Sequence, residues 1–302
     1  MNQNAVNLAS TPEPIIVRVM HSANASRSIG ALLMDAGRIT PEAAERILKL
    51  QKDKNLRFGE AAIELGLLSE EDIQHVLSQQ YDYPYLMPSD ECISEEVVAA
   101  FKPFSPIVEQ LRALRSQLML RWFDAEVGHK VLAVVSAGRS EGRSFTAANL
   151  AVVFSQLGER TLLIDADLRF PRQHELFRLE NKIGLSSLLA SRAELAEAVI
   201  RIPGLVDLSV LPAGAIPPNP QELLARPVFN ALMATASDQY DIVIVDTPAG
   251  AETADSQAIA ARTRGAVVVA RKDISSAPTL QAFVTSLQQS GVAVVGAVLS
   301  NG

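Results

Sequence analysis

Six short apolar runs between residues 131 and 300 constrain this 302-residue chain more than anything else in it. They are "VLAVVSA" (131–137), "TLLIDAD" (161–167), "LSVLPAG" (208–214), "DIVIVDT" (241–247), "AVVVAR" (266–271) and "AVVGAVLS" (293–300). The runs are continuous rather than alternating, which is the pattern of strands covered on both faces. Helix-like stretches separate them, so the expected fold class is α/β, a doubly wound and mostly parallel sheet. Ligands of such sheets bind beyond the carboxyl ends of the strands. Three of these ends carry groups suited to phosphate or a cation.

The first follows the run at 131–137, in "SAGRSEGRSFTAANLA" (136–151). Ala137-x4-Gly142-Arg143-Ser144 leaves a strand and opens a helix, the context a phosphate-binding P-loop requires. Ala137 replaces the first Gly of that pattern and Arg143 replaces its Lys. Gly138, Arg139, Ser140, Glu141, Gly142, Arg143, Ser144 and Phe145 are the expected nucleotide-binding residues, through backbone N–H groups at a helix N-terminus. Ser144 offers a hydroxyl to Mg²⁺. Arg143 keeps a permanent positive charge but spreads it over a planar fork. The second end is "LLIDADLRFPRQHELF" (162–177), where Asp165 and Asp167 can point into one site. Turn acids are often only solvated, but a P-loop one helix upstream favours metal or base roles. The third is "YDIVIVDTPAG" (240–250), in which Asp246 closes a buried strand and suits a Mg²⁺ ligand.

Composition narrows the partners. Hydrophobic residues make up 48% of the chain and charged residues 20%, enough for a sizeable core. A net charge of -7 and a pI of about 5.2 argue against nucleic acid. The single Cys92 cannot form an internal disulfide, which fits a cytoplasmic location. The N-terminus lacks a signal-peptide pattern, and the apolar runs are too short to span a bilayer. A membrane role would therefore come through a partner.

The chain before residue 105 has another texture. Residues 1–25 are polar and irregular, expected as a flexible tail, and 26–88 read as a small helical domain of two repeats. "SIGALLMDAGRITPEAAERILKLQ" (28–51) aligns without gaps on "RFGEAAIELGLLSEEDIQHVLSQQ" (57–80), with Gly30 on Gly59, Gly37 on Gly66 and Gln51 on Gln80. Each unit reads as short helix, Gly turn, longer helix, the longer one opening at Thr40 or Ser69. Residues 89–104 read as a linker. "SPIVEQLRALRSQLMLRWF" (105–123) reads as a capped amphipathic helix with Leu111, Leu114 and Leu118 on one side.

Residues 105–302 resemble the bacterial tyrosine kinases of capsule and exopolysaccharide synthesis, relatives of the MinD/ParA-type P-loop ATPases. "SEGRSFTAANLA", "LLIDADLR" and "IVIVDTP" match their Walker A, A′ and B motifs. "LPAGAIPPNPQELL" (211–224) is close to another signature of the family, and Asp255 falls at the family's Asp position in 252–271. The resemblance implies phosphoryl transfer from Mg-ATP to tyrosine. Arg143 and the loop would hold the β- and γ-phosphates, while Ser144 and Asp246 would hold Mg²⁺. Asp165 would be a base or metal anchor supported by Asp167. Glu109-x2-Arg112-x2-Arg115 matches the motif that joins relatives into rings, implying a homo-oligomer. The implied partner is a membrane-embedded polysaccharide chain-length determinant, which would recruit the protein to the inner face of the plasma membrane.

Two features depart from that family: Arg143, and the lack of a C-terminal tyrosine run. Tyr81, Tyr83 and Tyr85 are either replacement acceptors or packing residues. A catalytically weak ATP-binding scaffold and a MinD/ParA-like ATPase are the alternatives. The repeats resemble the N-terminal domain of type II secretion and pilus ATPases, which binds cyclic di-GMP in some members and is a docking module in others. The second unit fits from Arg57-Phe58-Gly59 to Gln80. The first has Ser28 where Arg is expected, with Arg27 adjacent.

Overall fold

Each of the six apolar runs forms a strand in the computed structural model, which describes residues 28–70, 72–73, 76, 86, 93–124, 127–205, 207–251 and 253–301. The strands are β1 (Val131–Ser136), β2 (Thr161–Asp165), β3 (Ile200–Arg201), β4 (Leu208–Leu211), β5 (Ile242–Asp246), β6 (Gly265–Arg271) and β7 (Ala293–Ser300). Their order is β3-β4-β2-β5-β1-β6-β7. All neighbours run parallel except β3 and β4. The two-residue β3 is the strand the sequence reading lacks, being too short to carry a pattern. β1, β2, β4 and β5 stop before their apolar runs do, because Ala137, Ala166–Asp167, Pro212–Gly214 and Thr247 have left the sheet. β1 and β5 lie at the centre, so the P-loop and Asp246 emerge side by side.

The chain divides into two units, 1–83 and 84–302. In the first, α1 (Ile29–Asp35), α2 (Pro41–Lys54) and α3 (Phe58–Glu64) surround their own small core. The repeat is visible in burial. Leu32, Leu33, Ile39 and Ile47 are buried, and so are their repeat mates Ala61, Ala62, Leu68 and Val76. Gly37 and Gly66 both have φ +65° with open space where a Cβ would sit, so backbone conformation alone calls for glycine. Thr40 Oγ1 accepts from the Ala43 N–H. Ser69 and Asp72 cap reciprocally, Asp72 N–H to Ser69 Oγ at 3.1 Å and Ser69 N–H to Asp72 Oδ2 at 3.0 Å. The tail expected at 1–25, Tyr81, Tyr83, Tyr85 and Cys92 lie outside the described residues.

The second unit continues with α4 (Val98–Phe101), α5 (Pro106–Arg121), α6 (Arg143–Ser155), α7 (Gln173–Leu176), α8 (Leu185–Leu189), α9 (Leu195–Ala198), α10 (Pro220–Leu224), α11 (Pro227–Gln239), α12 (Asp255–Thr263) and α13 (Ala277–Gln289). Residues from α4, α5 and α6 pack on one face of the sheet, against Leu132, Val134, Leu163 and Ile244. Residues from α8, α10, α11 and α13 meet the alternate residues of the same strands, such as Val243, Val245, Val135 and Val268. That arrangement is why the runs are continuous.

Two expectations need correction. Residues 93–104 are no linker: Ile93, Val97, Ala99, Ala100 and Phe101 are buried in the core of the second unit. Asn149 of α6 holds this segment, accepting from Ala99 N–H at 2.9 Å and donating to the Glu96 carbonyl at 3.1 Å. Gln156 donates to the Ala99 carbonyl. The helix expected at 105–123 is α5, but Ser105 does not cap it; its hydroxyl is buried without a partner. Pro106, with φ preset for a helix, opens the first turn instead.

Candidate nucleotide and phosphoryl-transfer site

Three strand ends build the site. After β1 the chain turns through Ser140 (φ 56°) and Gly142 (φ 90°) before α6 begins. Arg143, 9% exposed, points back under this loop. One Nη donates to Ser136 Oγ at 2.7 Å and the other to Asp167 Oδ2 at 3.2 Å, while Nε stands 3.4 Å from Asp246 Oδ1. A planar guanidinium faces the three partners from three separate nitrogens, where an ammonium would offer a single compact point of charge.

Asp165 and Asp246 are direct neighbours in the β2–β5 register, and both are fully buried. Asp165 Oδ2 accepts from the Arg172 and Gln173 N–H groups, each at 2.9 Å, and Oδ1 accepts from Asp167 N–H at 3.2 Å. Burial, and then the Asp246 charge, push the Asp165 carboxyl well above the usual carboxylate range. Burial raises Asp246 too, opposed first by the Arg143 charge and then by the hydrogen bond from Gln173. Asp167 Oδ1 accepts from the N–H groups of Arg169 and Phe170, which fixes the turn after β2.

The mouth is a cavity of about 380 Å³ that Ser144, Asp167, Phe170 and Ala249 help to line. The Arg139 guanidinium lies 3.8 Å from the centre of the Phe170 ring, joining the P-loop to the loop after β2. The buried Glu141 carboxylate accepts from Gly138 N–H at 2.9 Å and from the Ser275 hydroxyl. Asp255 begins α12 and receives Arg169 Nε at 2.7 Å. Arg172 pairs with Glu96.

A magnesium–nucleotide fits these residues. Ser144 stands in the first turn of α6 on the wall of the cavity, and Asp246 Oδ1 is a buried oxygen without a hydrogen bond. Hydroxyl and carboxylate oxygens are the hard donors Mg²⁺ takes, with phosphates and water supplying the rest. No group of three or more His, Cys, Asp or Glu side chains placed to share a metal occurs among the described residues.

A family model described as an AAA domain matches residues 129–290. The tyrosine-protein kinase YwqD of Bacillus subtilis is 41% identical over 177 residues, 59% of this chain and 73% of its own. The chain belongs to the bacterial tyrosine kinase family. The tyrosine-protein kinase Etk of Escherichia coli is 36% identical over 203 residues, and the match spans only 28% of Etk's length. The crystal structure of the chimerical protein CapA2B2 superposes with a TM-score of 0.65 at 30% identity, covering 78% of this chain and 99% of that one.

The structure thus brings Arg143, Asp165, Asp167 and Asp246 together, with Ser144 on the cavity wall beside them. It separates the charges of α5. Arg112 pairs with Glu109 at 3.0 Å, but Arg115 donates to the Val153 carbonyl of α6 at 2.6 Å and is partly buried there. Two polar residues in the site went unnoticed in the sequence: Ser136, which receives Arg143, and Gln173, which donates to Asp246 at 2.7 Å. Neither stands in a pattern that would single it out.

Proposed function

We propose that the chain is a Mg-ATP-dependent protein-tyrosine kinase acting on the control of exopolysaccharide chain length or export. The observation that carries this reading is the convergence of Ser144, Asp165, Asp167 and Asp246 on a P-loop with a permanent cation among them. Backbone amides of 138–145 bind the phosphates, and Ser144 and Asp246 hold the magnesium. The metal, when bound, offsets charge on the phosphate oxygens. A tyrosine oxygen forms a bond to the γ-phosphorus as the bond to the ADP oxygen breaks. Asp165, whose carboxyl retains a proton more readily than usual, receives the tyrosine proton directly or through water. The Asp167 N–H keeps that carboxyl group in place, and Arg143 faces Asp167 and Asp246 beside it.

Incubation with Mg-ATP, with and without the cytoplasmic tail of a membrane-embedded chain-length determinant, tests this by phosphotyrosine mass spectrometry. Phosphotyrosine on this chain or on the tail, lost in Asp165→Ala, is the expected result. ATP bound without phosphotyrosine under either condition overturns it and leaves the second reading, a nucleotide-gated scaffold. The engagement of Arg143 by three internal partners favours that second reading.

The same proposal places the protein at the inner membrane face through that partner, with Glu109, Arg112 and Arg115 contributing to a homo-oligomer. For the repeat unit we infer a regulatory input, with cyclic di-GMP as its ligand. Calorimetric titration of the full chain with cyclic di-GMP checks this, and no heat of binding would leave the unit a docking module.

A further inference from the structure

Gln173 is fully buried where the three motifs meet, and it touches all of them. Its Nε2 donates to Asp246 Oδ2 at 2.7 Å and to the Ser144 carbonyl at 3.1 Å. Its backbone N–H donates to Asp165 Oδ2 at 2.9 Å. Both side-chain partners of Nε2 are pure acceptors, so the amide orientation is fixed: a flipped amide would set oxygen against oxygen at both. The remaining atom, Oε1, is a buried acceptor with no donor. Buried polar atoms are nearly always paired, and an exception in a binding site points to a group that arrives with the ligand.

We propose that Gln173 is a positioning residue for the metal of the nucleotide complex. Its amide N–H groups fix the rotamer of Asp246 and tie it to the first turn of α6, where Ser144 sits. Its Oε1 accepts from a metal-bound water, the donor that a hydrated Mg²⁺ carries into the site. The inference rests on the nucleotide–magnesium reading above and adds a residue to it. Gln173 touches neither the phosphates nor the tyrosine.

The test compares binding of a fluorescent ADP analogue to the full-length protein in Mg²⁺ and in EDTA. In the native chain Mg²⁺ tightens binding. In Gln173→Leu that gain falls by about tenfold or more, as for other residues that orient metal ligands, while affinity in EDTA is unchanged within about twofold. Gln173→Met, unbranched and of similar length, shows the same loss and covers the case in which the Leu variant fails to fold. A Mg²⁺ gain that survives in either folded variant overturns the role of Gln173, as does an equal loss with and without metal. A native chain that binds ADP equally in Mg²⁺ and EDTA overturns the magnesium reading itself, and this proposal with it.

Discussion

Arg143 reaches Ser136, Asp167 and Asp246 from one planar group that is 91% withdrawn from water, its exposure being 9%. Removing it by Arg143→Ala strands buried acid, and loss of one partner of a buried charge pair costs about 3–5 kcal/mol. Arg143→Lys keeps the charge but not the fork, so we expect a smaller loss of about 1–3 kcal/mol with nucleotide binding preserved. Urea midpoints and ADP titration of the two variants check both statements. Asp165 supplies a pH signature. Its folded carboxyl binds a proton more tightly than the unfolded one, whose ordinary value is about 3.9. Its contribution is therefore fully present below that value and is lost as pH rises toward the folded value. Without metal, stability attributable to this site declines as pH rises above that ordinary value, and Asp165→Asn flattens the decline in urea midpoints measured upward from it. An unchanged slope would contradict the burial of that charge.

At the scale of elements, the legible parts were those whose cause is local. Strands covered on both faces must be apolar throughout, so 131–136 or 242–246 announce themselves. A P-loop has a spacing, and a helix repeat has glycines with a conformational reason. Residues 93–104 were illegible because their stability comes from elsewhere: Asn149 and Gln156, a full helix away, satisfy their backbone. Gln173 is hidden for the same reason, since nothing in "RFPRQHELF" marks one polar residue as the one that reaches Asp246. The packing of this segment has a consequence. Asn149→Leu removes the acceptor for Ala99 N–H and the donor to Glu96 in a buried setting. Each orphaned group costs about 1–3 kcal/mol. Amide hydrogen exchange at 96–101 should accelerate in the variant while exchange in β1 and β5 keeps its rank.

Assembly belongs to the whole molecule, and α5 separates its two kinds of charge. Glu109 is 72% exposed and pairs with Arg112 on the helix surface, where an ion pair contributes at most about 1 kcal/mol. Arg115 instead donates to the carbonyl of Val153, near the C-terminal end of α6, where a cation is favoured by the helix dipole. The two residues of one motif thus differ in what they do inside a single chain. Glu109→Ala is expected to leave the urea midpoint of dilute protein unchanged and to weaken self-association in sedimentation velocity. Arg115→Ala is expected to lower that midpoint, with a loss of stability of about 1–2 kcal/mol at concentrations where the protein is monomeric, and to weaken association as well. Association lost in both variants with stability lost only in the second would tie ring formation to the seating of α5 on the P-loop helix. The nucleotide site begins at the other end of that helix, so occupancy and assembly would then share one element. Equal stability of the two monomers would instead make the motif a surface device with no internal role.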